Sequence, residues 1–201
     1  MVLGRAVPDQ DLVRLVLQGR TERFADLVKR YQGLVASTIL ARVSRGDEVE
    51  DLAQETFYRA FRYLEALDDP SCFGPWLRRI ADHVAVNYLR SRGVRTQLSA
   101  DLLPLPSAAG LADQTSGWRQ VHDRVWAAIE ELPLPLRQVV LLYYMEDRSC
   151  AEIAQFLGAT VGAVKGRLHR ARLQLGAALS DLDRTTSRVS WHERWRRRGL
   201  P

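Results

Sequence analysis

The stretch Ser149 to Leu175 reads SCAEIAQFLGATVGAVKGRLHRARLQL, and its interpretation decides the fold. Ser149 and Glu152 form an S-x-x-E capping box, which predicts a helix start. Ile153, Ala154 and Leu157 supply the apolar stripe of that helix. Gly158 stands where a helix commonly stops, because glycine takes a left-handed conformation without steric cost. Thr160 follows as the cap of a second helix. Val164, Leu168, Ala171 and Leu175 recur at spacings of four, three and four, one buried face of a helix. Lys165, Gly166, His169 and Arg170 fall on the opposite face, with Gly162 beside them and Arg167 and Arg172 flanking the stripe. The pattern is a helix-turn-helix whose outer face is basic and built partly of small residues. Gly162 and Gly166 are poor helix formers, each costing about 1 kcal/mol relative to Ala. Close approach to a DNA backbone in the major groove gives them a purpose. A solvated basic face on an ordinary helical hairpin is the alternative.

The chain has 201 residues, 46% of them hydrophobic and 26% charged, a globular composition that suits one large domain or two small ones. No run approaches the roughly 18 apolar residues of a membrane span, and the N-terminus lacks the apolar core of a secretory signal. A cytoplasmic protein without membrane partners is expected. Cys72 and Cys150 are the only cysteines. They lack the paired spacing of a zinc site, so no metal or other cofactor is expected. The net charge of +5 is uneven: from Lys165 onward ten Lys and Arg stand against three acids, while the remainder is slightly acidic. Positive charge at the C-terminal end is what contact with nucleic acid requires.

Upstream, Asp9 or Asp11 can cap a short first helix, and Gly19 breaks it. Thr21 can cap a longer helix with Phe24, Leu27, Val28, Tyr31, Leu34, Val35 and Ile39 inward, ending in a turn at 44–47. The next helix, DEVEDLAQETFYRAFRYL, buries Val49, Leu52, Ala53, Phe57, Ala60 and Leu64. Its outer face carries Asp51, Gln54, Glu55, Tyr58, Arg59 and Arg62. Acidic residues first and basic residues last complement the helix dipole; a hydrogen-bonding docking face for a protein partner fits the same residues. The loop Ala66 to Gly74 holds Asp68 and Asp69 without further oxygen ligands, so it reads as a capping turn rather than a metal site. Pro75 suits the first turn of another helix, with Leu77, Ile80, Ala81, Val84 and Tyr88 inward. Trp76, Arg78, Arg79, His83, Asn87 and Arg90 can reach outward, although Trp76 alone reads better as a core residue. This helix is expected to end at Gly93.

Residues 98–117 are rich in prolines and small residues and read as a linker. A helix over about 118–131 follows, interrupted by Pro133 and Pro135, then a helical face of Leu136, Val139, Val140 and Tyr143. The last stretch, from Arg184 to Pro201, carries six arginines. It reads as a polar tail or as a basic arm. The fold class is thus all-α: two small helical domains, at 9–95 and 118–182, joined by a flexible linker at 96–117 and followed by a basic tail at 183–201.

With these residues in view, the chain resembles the extracytoplasmic-function (ECF) sigma factors of bacterial RNA polymerase. DLAQETFYRAF (Asp51 to Phe61) is similar to the sigma region 2 helix of that family, and WLRRIADHVAVNYLRSR (Trp76 to Arg92) to the promoter-facing helix after it. LPLPLRQVVLLYYMEDRSCAEIAQFLGATVGAVKGRLHRARLQL (Leu132 to Leu175) resembles sigma region 4. The resemblance implies binding to core RNA polymerase and promoter DNA, with an anti-sigma factor as a further partner. It would place Asp51, Gln54, Glu55 and Arg59 at the polymerase. Asp68, Asp69, Ser71 and Phe73 would lie in the loop that takes a flipped base of the −10 element, with Trp76, Arg79, His83 and Asn87 near the melted strand. Thr160, Gly162, Lys165, Gly166, Arg167, His169 and Arg170 would meet the −35 element. His83 and Asn87 depart from the residues common in the family, and Gly166 and His169 leave few side chains for base readout, which shifts weight to shape and backbone contacts. The four histidines do not cluster with a nucleophile or ligand set, so neither an enzyme nor a small-molecule substrate is expected. A helix-turn-helix repressor or activator explains the C-terminal half equally well and leaves the first half unexplained.

Overall fold

The computed structural model describes residues 7–43, 48–98 and 116–180. The expected turn at 44–47, most of the linker and the basic tail lie outside the described residues. Among the described residues all regular structure is helical: α1 (Asp9–Leu17), α2 (Phe24–Val43), α3 (Glu48–Arg62), α4 (Phe73–Leu98), α5 (Ser116–Glu131), α6 (Leu134–Tyr144), α7 (Cys150–Leu157) and α8 (Val161–Ala178). Short 3₁₀ turns at Thr21–Arg23, Leu64–Ala66 and Pro70–Cys72 join the early helices.

The N-terminal half is built on α2. Phe24, Leu27, Tyr31, Leu34, Val35 and Ile39 are buried, as the helical period requires. Burying each such Phe, Leu, Val or Ile side chain contributes about 1.5–3 kcal/mol. Two buried hydroxyls are satisfied without leaving their helices: Thr38 donates to the Leu34 carbonyl and Thr56 to the Leu52 carbonyl, both at 2.8 Å. The helix α4 packs across α2 and α3. Asp82 fixes it there, accepting from Arg42 Nε of α2 and Arg78 Nη1 of α4, each at 2.6 Å. At the other end Tyr88 Oη donates to Glu48 Oε1 at 2.6 Å, and this bond holds the Glu48 carboxyl below its ordinary pKa.

Three local expectations change. Neither Asp9 nor Asp11 caps α1; Pro8 occupies that position without a side-chain bond. The Asp9 carboxylate turns inward instead, accepting from Tyr31 Oη at 2.6 Å and from the Arg30 guanidinium. The longer helix expected from Thr21 opens with a 3₁₀ turn and becomes α-helical only at Phe24. Gly93 does not stop α4, which runs on to Leu98; a glycine inside a helix costs only about 1 kcal/mol and cannot end a helix alone.

In the C-terminal half, Pro133 sits at the N-cap of α6 and Pro135 within its first turn, where no backbone donor is lost. Val125, Trp126, Ile129, Leu132, Leu136, Val140, Leu141 and Ala171 form one core, joined by Ala41 from α2. The halves expected on either side of a linker are in contact. Val139 and Leu142 of α6, Ile153 and Phe156 of α7, and Val164 and Leu168 of α8 belong to the same buried cluster as Leu27, Val35, Leu77 and Ala81.

Candidate nucleic-acid and polymerase interfaces

The helix-turn-helix is fixed by the local bonds its sequence announces. Ser149 Oγ accepts from the Glu152 amide at 3.2 Å, and Glu152 Oε2 accepts from the Ser149 amide at 2.9 Å. The Ser149 hydroxyl and amide together hold the Glu152 carboxyl below its ordinary value. Gly158 closes α7 at φ 61°, the left-handed cap. Thr160 Oγ1 then accepts from the Ala163 amide at 3.2 Å and starts α8. With Val164, Leu168 and Ala171 buried, Gly162, Lys165, Gly166, His169 and Arg170 are exposed together, and Arg167 is half-buried at their edge. A Cβ added at Gly162 or Gly166 would meet nothing within 4 Å, so packing inside the chain gives no reason for either glycine. Arg172, which flanks the same stripe, is committed elsewhere. Its Nε donates to Tyr144 Oη at 2.9 Å, and its guanidinium lies 5.5 Å from the Tyr143 ring centre.

The second group lies where α4 begins. Asp69 is a cap, as its surroundings suggested: it accepts from the Ser71 amide at 2.9 Å and the Ser71 hydroxyl at 2.7 Å, and these bonds lower its pKa. It is exposed, as are Asp68 and Ser71 beside it. Phe73 is different. It is 0% exposed, edge-on to Tyr31 at 5.4 Å and tilted against Trp76 at 5.9 Å. The family resemblance pointed it at DNA, but the first turn of α4 rotates its ring into the core, so here it supports the loop from below. Trp76 is half-buried and packs on that core, while Arg79, His83 and Asn87 stand exposed at four-residue spacing along one face of α4.

The third group is on α3. Asp51 and Gln54 are exposed, and Glu55 and Arg59 form an ion pair at 2.6 Å with both side chains about two-fifths exposed. An exposed pair at this spacing supports the helix by about 0.3–0.5 kcal/mol. Beside it Arg62 donates to Tyr58 Oη at 3.2 Å and lies over the exposed Tyr58 ring. The three groups are therefore exposed faces, one on each of α3, α4 with its preceding turn, and α8.

Residues that tie these surfaces into one body were not evident beforehand. Arg137 donates to the Ala41 and Leu132 carbonyls at 2.9 and 3.1 Å and to the Glu130 carbonyl. Glu146 and Arg148, in the turn between α6 and α7, reach α2 through Ser37 Oγ at 3.1 Å and the Arg30 carbonyl at 3.2 Å. Asp147 between them has φ 49°, a left-handed residue whose sharp turn sends its neighbours the same way. Partners a hundred residues away leave no local trace in the sequence. Among the described residues no group of three or more His, Cys, Asp or Glu is placed to hold a metal ion, and no helix is long and apolar enough to cross a membrane.

Comparison with known proteins covers the helices that carry these faces. Residues 27–95 match the Sigma-70 region 2 family and residues 122–175 the Sigma-70 region 4 family. The ECF RNA polymerase sigma-E factor of Haemophilus influenzae is 34% identical over 179 residues, covering 85% of this chain and 94% of the relative. That of Escherichia coli K12 is 35% identical over 179 residues, covering 85% and 93%. Among solved structures, CnrH in complex with the cytosolic domain of CnrY aligns with a TM-score of 0.58 at 28% identity, over 86% of this chain and 97% of that one. Two sigma regions in the family's order, on a chain whose described residues are helical and which aligns with its relatives over most of their length, place this protein in the ECF family of RNA polymerase sigma factors.

Proposed function

We propose that this sigma factor binds core RNA polymerase through the outer face of α3 and directs it to promoters read by two surfaces. Asp51, Gln54, Glu55 and Arg59 form the polymerase contact. Asp68, Asp69 and Ser71 line the loop that meets the −10 element, with Arg79, His83 and Asn87 along the path of the melted strand and Trp76 at its edge. The exposed face of α8 (Gly162, Lys165, Gly166, His169, Arg170, with Thr160 and Arg167 flanking) meets the −35 element in the major groove. Residues 9–95 and 118–182 act as the two recognition units, 96–117 as their link, and 183–201 as a basic tail. The protein acts in the cytoplasm, by binding and not by catalysis, and needs no cofactor. An anti-sigma factor is its natural regulator, as CnrY is the partner of CnrH in the related structure.

The observation that carries this reading is the face of α8: five adjacent exposed positions, three able to carry positive charge and two without side chains, with no packing role for the glycines. Backbone contacts of this kind supply affinity that falls with salt. The test is run-off transcription with core polymerase lacking any sigma factor, across a pool of promoters from the source genome. Transcripts sharing two upstream elements are expected. A protein that bound duplex DNA as a dimer and ignored core polymerase would be a conventional repressor or activator instead. Replacing Gln54 and Glu55 with Ala should weaken polymerase binding while leaving helicity intact; unchanged affinity would remove α3 from the contact.

A further inference from the structure

Arg172 is held differently from the other exposed cations of α8. Lys165 and Arg170 have no hydrogen-bond or ion-pair partner among the described residues. Arg172 is just as exposed, yet it is fixed at three points. Its Nε donates to Tyr144 Oη at 2.9 Å, and its guanidinium lies 5.5 Å from the Tyr143 ring centre and 5.9 Å from that of Tyr144. The two rings stand edge to face at 5.0 Å and form a corner at the end of α6. Its partners are tyrosines, and no carboxylate among the described residues neutralises its charge. The contacts with α6 use Nε and the face of the guanidinium. That leaves the Nη1 and Nη2 edge, the fork that pairs with phosphate oxygens.

The helical register directs that fork at a backbone rather than at a base. At about 100° per residue, Arg172 falls on the same flank of α8 as Lys165, two turns and about 10 Å further along the axis. Arg167 and Arg170 fall toward the opposite flank, with Gly162, Gly166 and His169 between the two. A helix about 10–12 Å across fills a major groove about 12 Å wide, so its flanks face the two phosphodiester strands. Recognition helices touch base edges with their N-terminal residues. Arg172 comes three turns after the start of α8 at Val161, where the helix has passed the bases and crosses a strand.

Given the −35 contact proposed for α8, on which this step rests, we infer that Arg172 is a further DNA-binding residue, whose guanidinium Tyr143 and Tyr144 hold ready for a phosphate of the −35 duplex. Lys165 and Arg172 then grip one strand at two points along the same flank. Stacking and the Nε bond order the Arg172 side chain before DNA arrives, so less rotamer freedom is lost on binding. A phosphate contact of this kind adds affinity at every sequence and reads no base.

The test uses the full chain assembled with core polymerase, and reads binding of a labelled −35 duplex by anisotropy between about 50 and 200 mM salt. Circular dichroism and thermal melting report the fold of each variant. Arg172→Gln should make the slope of log affinity against log salt shallower by about 0.9, the share of one phosphate contact. Its loss should be about 3.5-fold larger at the low end of that salt range than at the high end. The loss should be the same on a duplex with one −35 base pair changed. Tyr144→Phe removes only the hydroxyl; it should keep the full slope and lose about two- to tenfold in affinity, the range for one hydrogen bond. If Arg172→Gln does not fold, Arg172→Lys decides in its place: the slope should stay and the affinity should fall, because lysine keeps the charge without the fork. An unchanged slope in folded Arg172→Gln, or parental affinity in Arg172→Lys, makes Arg172 a clamp between α8 and α6 only and overturns the phosphate contact. A loss confined to the parental base pair overturns it in favour of base readout. Parental affinity in Tyr144→Phe overturns the aiming role of the tyrosines. Failure of the parental holoenzyme to bind the −35 duplex at all overturns the −35 reading of α8 instead.

Discussion

Gly166→Ala separates the cost of a glycine from its purpose. Gly166 is the sixth residue of α8, inside the helix and exposed, and a Cβ there meets nothing within 4 Å. The substitution creates no clash and buries nothing, so its effect on folding is the helix-propensity gain of about 1 kcal/mol. For a chain of this size that raises the melting temperature by roughly 2–4 °C. On DNA the sign reverses. Gly166 lies between Lys165, His169 and Arg170, and on the proposed DNA contact a methyl group there should hold the helix axis off the groove. Losing one of the contacts its neighbours make should cost about 1–3 kcal/mol, or about 5- to 150-fold in affinity. The assay pairs thermal denaturation with anisotropy of a labelled −35 duplex bound by the polymerase holoenzyme. Gly176→Ala is the internal control: its Cβ also meets nothing, but it lies in the last turns of α8, beyond the basic cluster. It should stabilise, by less because of its position, and leave DNA binding alone. A Gly166→Ala variant that is more stable yet binds DNA with parental affinity refutes the idea that the glycine exists for close approach.

Other expectations are simpler. Phe73→Ala should cost about 3–5 kcal/mol in urea denaturation, the range for a fully buried aromatic; a loss below 1 kcal/mol would mean the ring is not a core anchor. Arg137→Ala should cost about 2 kcal/mol by the same measurement, since it strips a charged donor from the carbonyls of Ala41, Glu130 and Leu132. Glu152 has a depressed pKa in the folded chain, caused first by the Ser149 hydroxyl. Its stabilisation is therefore complete above its unfolded value near 4.5 and fades as pH falls through the lower folded value. Glu152→Gln should flatten that part of the acid limb in melts between about pH 3 and 6, and an unchanged slope would assign the acid sensitivity elsewhere.

The helix-turn-helix was legible residue by residue because its determinants are local. Ser149, Glu152, Gly158 and Thr160 each act within four residues, and all four are found in the geometry their types demand. The inward stripes of α2, α3 and α4 were legible for the same reason, since a period of 3.6 needs no partner to be visible. Asp9 and Phe73 show the limit. Asp9 has the right chemistry to cap α1, but Tyr31 and Arg30, more than twenty residues on, claim its carboxylate. Phe73 sits in a polar loop, and only the rotation of the first turn of α4 sends it inward.

The sequence by itself determined the helices, the caps of α7 and α8, the basic face of α8 and the order of the two sigma regions, because each rests on neighbours within a turn or two of one helix. Tertiary structure alone decided that the regions meet. Glu146 against Gly33, Arg148 on the Arg30 carbonyl and Tyr31 between Phe73 and Phe156 join residues from about 40 to 125 positions apart. Contacts of that kind depend on how two finished surfaces fit, and no periodicity or spacing along the chain encodes the fit.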